Sequence, residues 1–231
     1  MEHYLNKKLK MDGLELLNLI PENHISACFA DFQYRTQLDR LKYGNEGARQ
    51  SKRAKLPQMS DEMIISFLYE ITRVLIPSSY LFLWCDKFTV AEGVHKEWMN
   101  ALDKKADNYI HYSPILVDMI CWHKESFGMG KRSRRTNEYL MVYQKIPKTT
   151  KNWVNNSIRD TWTEKIQNPR LGHPHKKPIG LTKTLIECVV PSDGIVLDPC
   201  AGSFSTYDAC VQTGRKFLGC DILGEYSDEN I

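Results

Sequence analysis

The sequence predicts an α/β protein with a mostly parallel central sheet and helices on both faces, and three observations predict it. Short, largely apolar runs recur along the 231 residues, as at 25–30, 80–85 and 194–197, which is the pattern of strands buried on both faces. Between such runs, apolar residues return at helical spacing, most clearly at Ile64, Phe67, Leu68, Ile71 and Val74. Several of the runs stop at an acid, Asp31, Asp198 or Asp221. The carboxyl ends of strands in an open sheet face one crevice, so these acids can converge although they are far apart in sequence.

The length fits a single domain over residues 1–231 with one full core. With 42% hydrophobic and 26% charged residues the composition is that of a soluble globular protein, and a net charge of +3 permits an anionic partner without demanding one. Seven cysteines stand singly with no C-x-x-C pair. That is a reduced, intracellular pattern, with neither a disulfide framework nor a zinc site, so a cytoplasmic location and no metal are expected. No apolar run reaches membrane-spanning length, which argues against a membrane partner.

In chain order, residues 4–10 predict a short edge strand, and Asp12 caps a small helix carrying Leu14, Leu16, Leu17 and Leu19 before Pro21. A buried strand follows at 25–30. Residues 35–58 hold Arg49, Lys52 and Arg53 among other cations with no apolar period, and predict a mobile basic loop. Ser60 caps a helix whose buried face includes Met63 and which Pro77 ends, leading into a strand at 80–85. A helix over 91–104 and two strands at 116–122 and 138–144 come next. The strands are joined by a hairpin carrying Lys131, Arg132, Arg134 and Arg135, either a solvated charged face or a surface that meets phosphates. A polar stretch then runs to Gly172, His173 and His175 mark a turn, Pro178 opens a helix over 179–189, and residues 224–231 form a tail.

The chemistry concentrates in Val196-Leu-Asp-Pro-Cys-Ala-Gly-Ser203 and the strand ending at Asp221. A turn with one glycine and an acid at its entrance would repel a pyrophosphate, unlike a G-x-G-x-x-G turn, and suits an amino group or a cationic cofactor. Asp221, one strand on, can hold ribose hydroxyls, and Lys177 can supply a positive charge for a carboxylate. A ligand with a ribose, a free amine and a carboxylate satisfies all three.

His173-Pro174, Lys177-Pro178, Asp198-Pro199, Gly202-Ser203 and Thr206, in that order, resemble the C-terminal half of the S-adenosylmethionine-dependent amino methyltransferases of DNA in the permuted arrangement called the β class. The usual pattern there is H-P-x-Q-K-P followed by D-P-F-x-G-S-G-T. The resemblance implies a Rossmann-like methyltransferase fold and S-adenosylmethionine as cofactor. It places Asp198, Pro199, Cys200, Ala201, Gly202 and Ser203 in the cofactor turn, with Asp198 on the methionine amine, Asp221 on the ribose, Asp12 on the adenine amino group and Lys177 nearby.

Asp31-Phe-Gln-Tyr34 falls where that family carries D-P-P-Y. In such enzymes the target base leaves the duplex and stacks on the aromatic ring, while its exocyclic amine bonds the acid and the following carbonyl. The resemblance therefore implies Asp31 as acceptor for the attacking amine, beside the cofactor, Tyr34 as stacking platform and Phe32 as an apolar wall. Gln33 offers an amide oxygen where a rigid proline usually stands. Phe204 replaces a glycine of the cofactor turn and would crowd a close backbone approach if φ is positive there.

An acid at the head of the motif implies adenine as target, since serine there more often accompanies cytosine. The implied partner is double-stranded DNA within a restriction-modification system, read through the basic loop at 35–58 and the segment 124–172, and a homodimer or a methyltransferase partner subunit is left open. Three rivals stand beside this reading. They are a cytosine-N4 enzyme, an enzyme acting on RNA or a small amine, and a silent DNA-binding partner, the last motivated by Phe32, Gln33 and Phe204.

Overall fold

The structure is a computed structural model that describes residues 2–33, 59–106, 112–128, 132–166 and 176–224. After a 3-10 turn at Glu2–Tyr4, the strands are β1 (Lys8–Lys10), β2 (Ile25–Ala30), β3 (Leu75–Cys85), β4 (Ile115–Gly128), β5 (Arg135–Gln144), β6 (Thr161–Thr163), β7 (Ile195–Asp198) and β8 (Lys216–Asp221). The helices, in chain order, are α1 (Gly13–Asn18), α2 (Asp61–Val74), α3 (Lys87–Glu92), α4 (Val94–Lys105), α5 (Ile179–Val189) and α6 (Ser205–Thr213).

The strands form one mixed sheet in the order β1-β8-β7-β2-β3-β5-β4-β6. From β1 to β3 all neighbours are parallel. β5 then runs antiparallel to β3 and forms a hairpin with β4, and β6 returns parallel to β4. Because Cys85 at the end of β3 pairs with Tyr139, residues 135–138 of β5 extend past β3 at the edge where the parallel strands end.

Alternation along the strands divides the core between the two faces. Cys28, Ala30, Leu81, Leu83, Met141 and Leu197 face α1, α2 and α4, whereas Ala27, Phe29, Phe82, Leu140, Val142 and Val196 face α5 and α6. The sandwich of helices around buried strands is the architecture the sequence predicted. No helix among the described residues is long and apolar enough to cross a membrane.

Local chemistry sets the element ends. Asp12 Oδ1 accepts from Leu14 N and Glu15 N and caps α1, and Ser60 Oγ accepts from Met63 N to cap α2. The helix expected at 91–104 is two helices broken at Gly93, whose φ of 76° ends α3 in the left-handed region. α2 ends at Val74, ahead of Pro77, and the chain enters β3 directly. Pro77 lies where the β2–β3 register shifts between Ile25 and Ala27, an irregularity that tolerates its missing N–H. Met63 is 46% exposed rather than buried, because the inward stripe of α2 is carried by Ile64, Phe67, Leu68 and Ile71. Strand β6 was not expected: its three residues carry no period and are specified by pairing with β4. The basic loop at 35–58, His173, His175 and all but the first residue of the tail lie outside the described residues.

Candidate active site

The chain leaves β2 toward β3 on one side of the sheet and leaves β7 toward β8 on the other, although β2 and β7 are neighbours. That reversal opens a crevice at their carboxyl ends, where ligands of open α/β sheets bind. Asp31 follows β2 and Asp198 ends β7, so the two acids flank the crevice; Asp221 ends β8 and Asp12 follows β1, one and two strands away. The four acids read from the sequence thus stand along one sheet edge.

The turn after β7 is tied down by backbone and carboxylate contacts. Asp198 Oδ2 accepts from Thr206 Oγ1 at 2.6 Å and Oδ1 from Cys200 N at 3.3 Å. Asp221 Oδ2 accepts from Gly202 N at 3.2 Å, and Ala201 N donates to Cys220 O at 2.9 Å. Gly202 takes a φ of 49°, and a Cβ there would meet nothing within 4 Å, so it is needed for its conformation and not for space. Pro199 packs against the start of α1, where a side chain on Gly13 would collide with the Pro199 carbonyl and Phe67. Ser203 completes the turn. Gly13 was missed in the sequence because the approach it allows is tertiary.

Phe204 does adopt the positive φ, at 55°, and enters the core instead of crowding the turn. Its ring lies 6.3 Å from that of Phe217. A non-glycine residue in this region costs about 1–2 kcal/mol, and burying a phenyl side chain offsets it by roughly 2–3 kcal/mol.

Electrostatics separates the acids. Burial drives the Asp198 carboxyl up to about 7, and Asp31 and Asp221 push the same way, against hydrogen bonds from Thr206 and Cys200 N. Burial and then Asp198 also raise the Cys200 thiol, which makes it a poor nucleophile. Asp31 Oδ2 instead meets Lys177 Nζ at 2.9 Å, and that ammonium also binds Glu138 Oε2 at 2.8 Å. Lys124 Nζ reaches the other oxygen of Glu138 at 2.6 Å. The expectation that Lys177 faces a ligand carboxylate therefore has to accommodate two protein carboxylates already bound to it.

Phe32 is 3% exposed and packs its edge on Phe67, so it supports the site from within the core. Gln33 is exposed, and its backbone carbonyl accepts from Met59 N at 2.8 Å. Tyr34, Arg49, Lys52, Arg53 and Lys131 lie outside the described residues. Arg132, Arg134 and Arg135 stand at the β4–β5 hairpin that overhangs the crevice edge. There the Arg134 guanidinium lies 5.8 Å from the ring of Phe127, which is 67% exposed, and Arg135 Nε is buried with no hydrogen-bond partner among the described residues. Glu138 and Lys124 were not singled out from sequence, although a glutamate heading the apolar run Tyr139 to Tyr143 was a signal.

The family N6_N4_Mtase, described as DNA methylase, matches residues 25–231. Type II methyltransferase M.HhaII of Haemophilus parahaemolyticus is 45% identical over 222 residues, covering 95% of this chain and 92% of that protein. Among solved structures, the M1.HpyAVI–SAM complex superposes with a TM-score of 0.62 at 16% identity, over 92% of this chain and 90% of that one. The cytosine-N4-specific PvuII DNA methyltransferase superposes with a TM-score of 0.65 at 15% identity, over 92% and 80%. The structural likenesses agree with the mixed sheet and its crevice, the sequence match runs through both the Asp31 and the Asp198 segments, and the chain belongs to the N6/N4 amino methyltransferase family of DNA methylases.

Proposed function

We propose that this protein transfers a methyl group from S-adenosylmethionine to the exocyclic amine of an adenine turned out of double-stranded DNA at a specific site. The observation that carries the reading is the meeting of Asp31 and Asp198 across the β2–β7 switch point. The donor set fits the cofactor: a buried carboxylate raised to about 7 with acids as its charged neighbours favours a ligand that brings an ammonium or sulfonium. Asp198 would hold the amine, Asp221 the ribose, and Asp12 the adenine through the carboxylate that also caps α1. The backbone from Pro199 to Ser203 would line the turn.

S-adenosylmethionine, when bound, supplies a methyl on a sulfonium whose departure leaves a neutral thioether. The chain has to make the base nitrogen attack. That lone pair is delocalised into the ring, and a carboxylate accepting an N–H favours the pyramidal form in which the pair is available. Asp31 Oδ is assigned that task, with Tyr34 holding the ring in line. Asp31, paired to the Lys177 ammonium at 2.9 Å, is assigned the part of hydrogen-bond acceptor, and the amine gives up its proton to solvent only as it gains positive charge from the arriving methyl.

Support for adenine over cytosine comes from the acid at the head of the motif. Support for duplex DNA comes from the overhanging hairpin with Arg132, Arg134, Arg135 and the exposed Phe127. The test is calorimetric titration with S-adenosylmethionine followed by tritiated-methyl incorporation into unmethylated duplex DNA, with nucleoside analysis of the product. N6-methyladenine is expected. N4-methylcytosine would overturn the base assignment, incorporation only into RNA would overturn the substrate, and cofactor binding with no incorporation would favour the silent partner.

A further inference from the structure

Four charges alternate in a line that leads out of the β4–β5 hairpin to the crevice: Lys124, Glu138, Lys177 and Asp31, joined at 2.6, 2.8 and 2.9 Å. Strand pairing sets the first link. Glu138 faces Trp122 across β4–β5, and Lys124 is two residues on along the same face of β4. The second link comes from a different part of the chain, since Lys177 immediately precedes Pro178, the cap of α5. Both ammoniums also lie over indoles, Lys177 5.1 Å from the Trp84 ring and Lys124 5.6 Å from the Trp122 ring. Those two rings pack edge to face at 5.9 Å.

The line ends on the side chain assigned to the target amine, and it carries equal numbers of positive and negative charges. Without Glu138, the Lys177 ammonium would have Asp31 as its carboxylate partner at this junction, would turn toward it, and would withdraw charge from the oxygen that must accept the amine. With Glu138 the ammonium is shared, and the tryptophan floor limits how far it can swing.

We propose that Glu138 is a positioning residue for methyl transfer, dividing the Lys177 charge so that Asp31 stays fixed in place yet electron-rich enough to accept the target amine. This rests on the assignment of Asp31 made above. Among the described residues, Lys177 from the segment before α5, Glu138 from β5 and Asp198 from β7 bear on the titration of Asp31, with Lys124 of β4 one link behind.

The test compares Glu138→Gln with wild type and with Asp31→Asn. The expected result for Glu138→Gln is a fall in kcat on the order of 10- to 100-fold, KM for DNA and Kd for S-adenosylmethionine within about 2-fold, and an acid limb of kcat displaced to lower pH. A second readout needs no turnover. In protein labelled with 13C at aspartate carboxyls, the resonance absent from Asp31→Asn should titrate at lower pH in Glu138→Gln, because a neighbouring negative charge has been removed. Lys124→Met, which leaves the Glu138–Lys177 pair intact, should show a smaller change in both. Wild-type kcat per folded molecule together with an unmoved Asp31 titration in Glu138→Gln would overturn the proposal, even if the variant melted earlier. Full activity in Asp31→Asn would instead overturn the assignment on which it rests.

Discussion

Two carboxylates near the same edge of the sheet, Asp198 and Glu138, are driven in opposite directions by their surroundings. Burial raises Asp198 to about 7, and the charged neighbours acting on it are acids. Burial would also raise Glu138, but Lys177 and Lys124 override it and hold that carboxyl at about 2. The difference follows from position in the sheet. Asp198 closes a parallel strand in the half whose strands end at acids, whereas Glu138 sits on an antiparallel strand where Lys124 of β4 and Lys177 from before α5 meet it. One carboxyl has acids for charged neighbours and the other is balanced by cations of the chain itself, which in the proposed function separates a binding carboxylate from a positioning one.

The largest expected effect joins the two. Asp31 stands between the halves, facing Asp198 across the switch point and bound to Lys177. Asp31→Asn should lower methyl transfer by at least about 100-fold while S-adenosylmethionine binding, followed by calorimetry, changes little. A variant with normal turnover would remove the chemical role from this edge altogether.

Asp198 gives the next effect and a sharper contrast in pH. Its folded value lies above its ordinary 3.8, so as pH rises from about 4 to 7 the folded state retains a proton that the unfolded state has lost, and Asp198 increasingly opposes folding. Glu138 has the reverse sign, with stability present above its ordinary 4.5 and lost as pH falls toward 2. Asp198→Asn should therefore raise the melting temperature of the free protein at pH 8 and leave it nearly unchanged at pH 4. It should also weaken S-adenosylmethionine binding by roughly 10-fold or more, the loss of a charge-assisted hydrogen bond. In the wild type, binding near pH 6.5 should release protons, read as a dependence of the measured enthalpy on buffer ionisation. Binding without proton release, and of equal affinity at pH 5.5 and 7.5, would show that no cation settles on Asp198.

The antiparallel half can be broken separately through Glu164. Its carboxylate accepts from Gly180 N and Leu181 N at 3.0 Å each and from Trp162 Nε1 at 2.8 Å, so it caps α5 and ties β6 to it. Gly180 lies directly beneath it, and a side chain there would make the Glu164 carboxylate shift. Glu164→Ala should cost about 1–2 kcal/mol, seen as a lower urea midpoint with an unchanged slope. An unchanged midpoint would mean that the cap contributes nothing measurable to the fold.

The two halves also differ in how much of them the sequence disclosed. Asp31, Asp198 and Asp221 are legible because each ends or follows an apolar run, and Asp12 because it follows a short alternating strand, so local pattern alone puts them at strand ends. The caps at Asp12 and Ser60 and the helix after Pro178 were legible because a capping residue or a proline stands directly before helical apolar spacing. Glu138, Lys124 and Glu164 act through partners that strand register and a distant helix start bring to them, 39 residues apart in the case of Lys177 and Glu138, and a local period carries no such information. Gly93 shows a third case. The apolar spacing from Val94 to Leu102 predicted one helix begun at residue 91, while the positive φ of Gly93 starts that helix at Val94 and closes another before it.

The smallest effect probes the hairpin where the antiparallel half meets DNA in the proposed function. Among the described residues Arg135 Nε is buried without a hydrogen-bond partner, and the charge of its guanidinium is one that a duplex phosphate could meet. Neighbouring Arg134 is partly engaged with Phe127. Arg135→Ala should weaken duplex binding only a few-fold near physiological salt, but it should reduce the slope of log K against log salt by about 1, measured by fluorescence anisotropy across a salt series. S-adenosylmethionine affinity should not move, because the arginine belongs to the half that does not face Asp198. A change in cofactor affinity with an unaltered salt slope would mean that the hairpin serves the crevice rather than the duplex, and the division between the halves would have to be redrawn at β5.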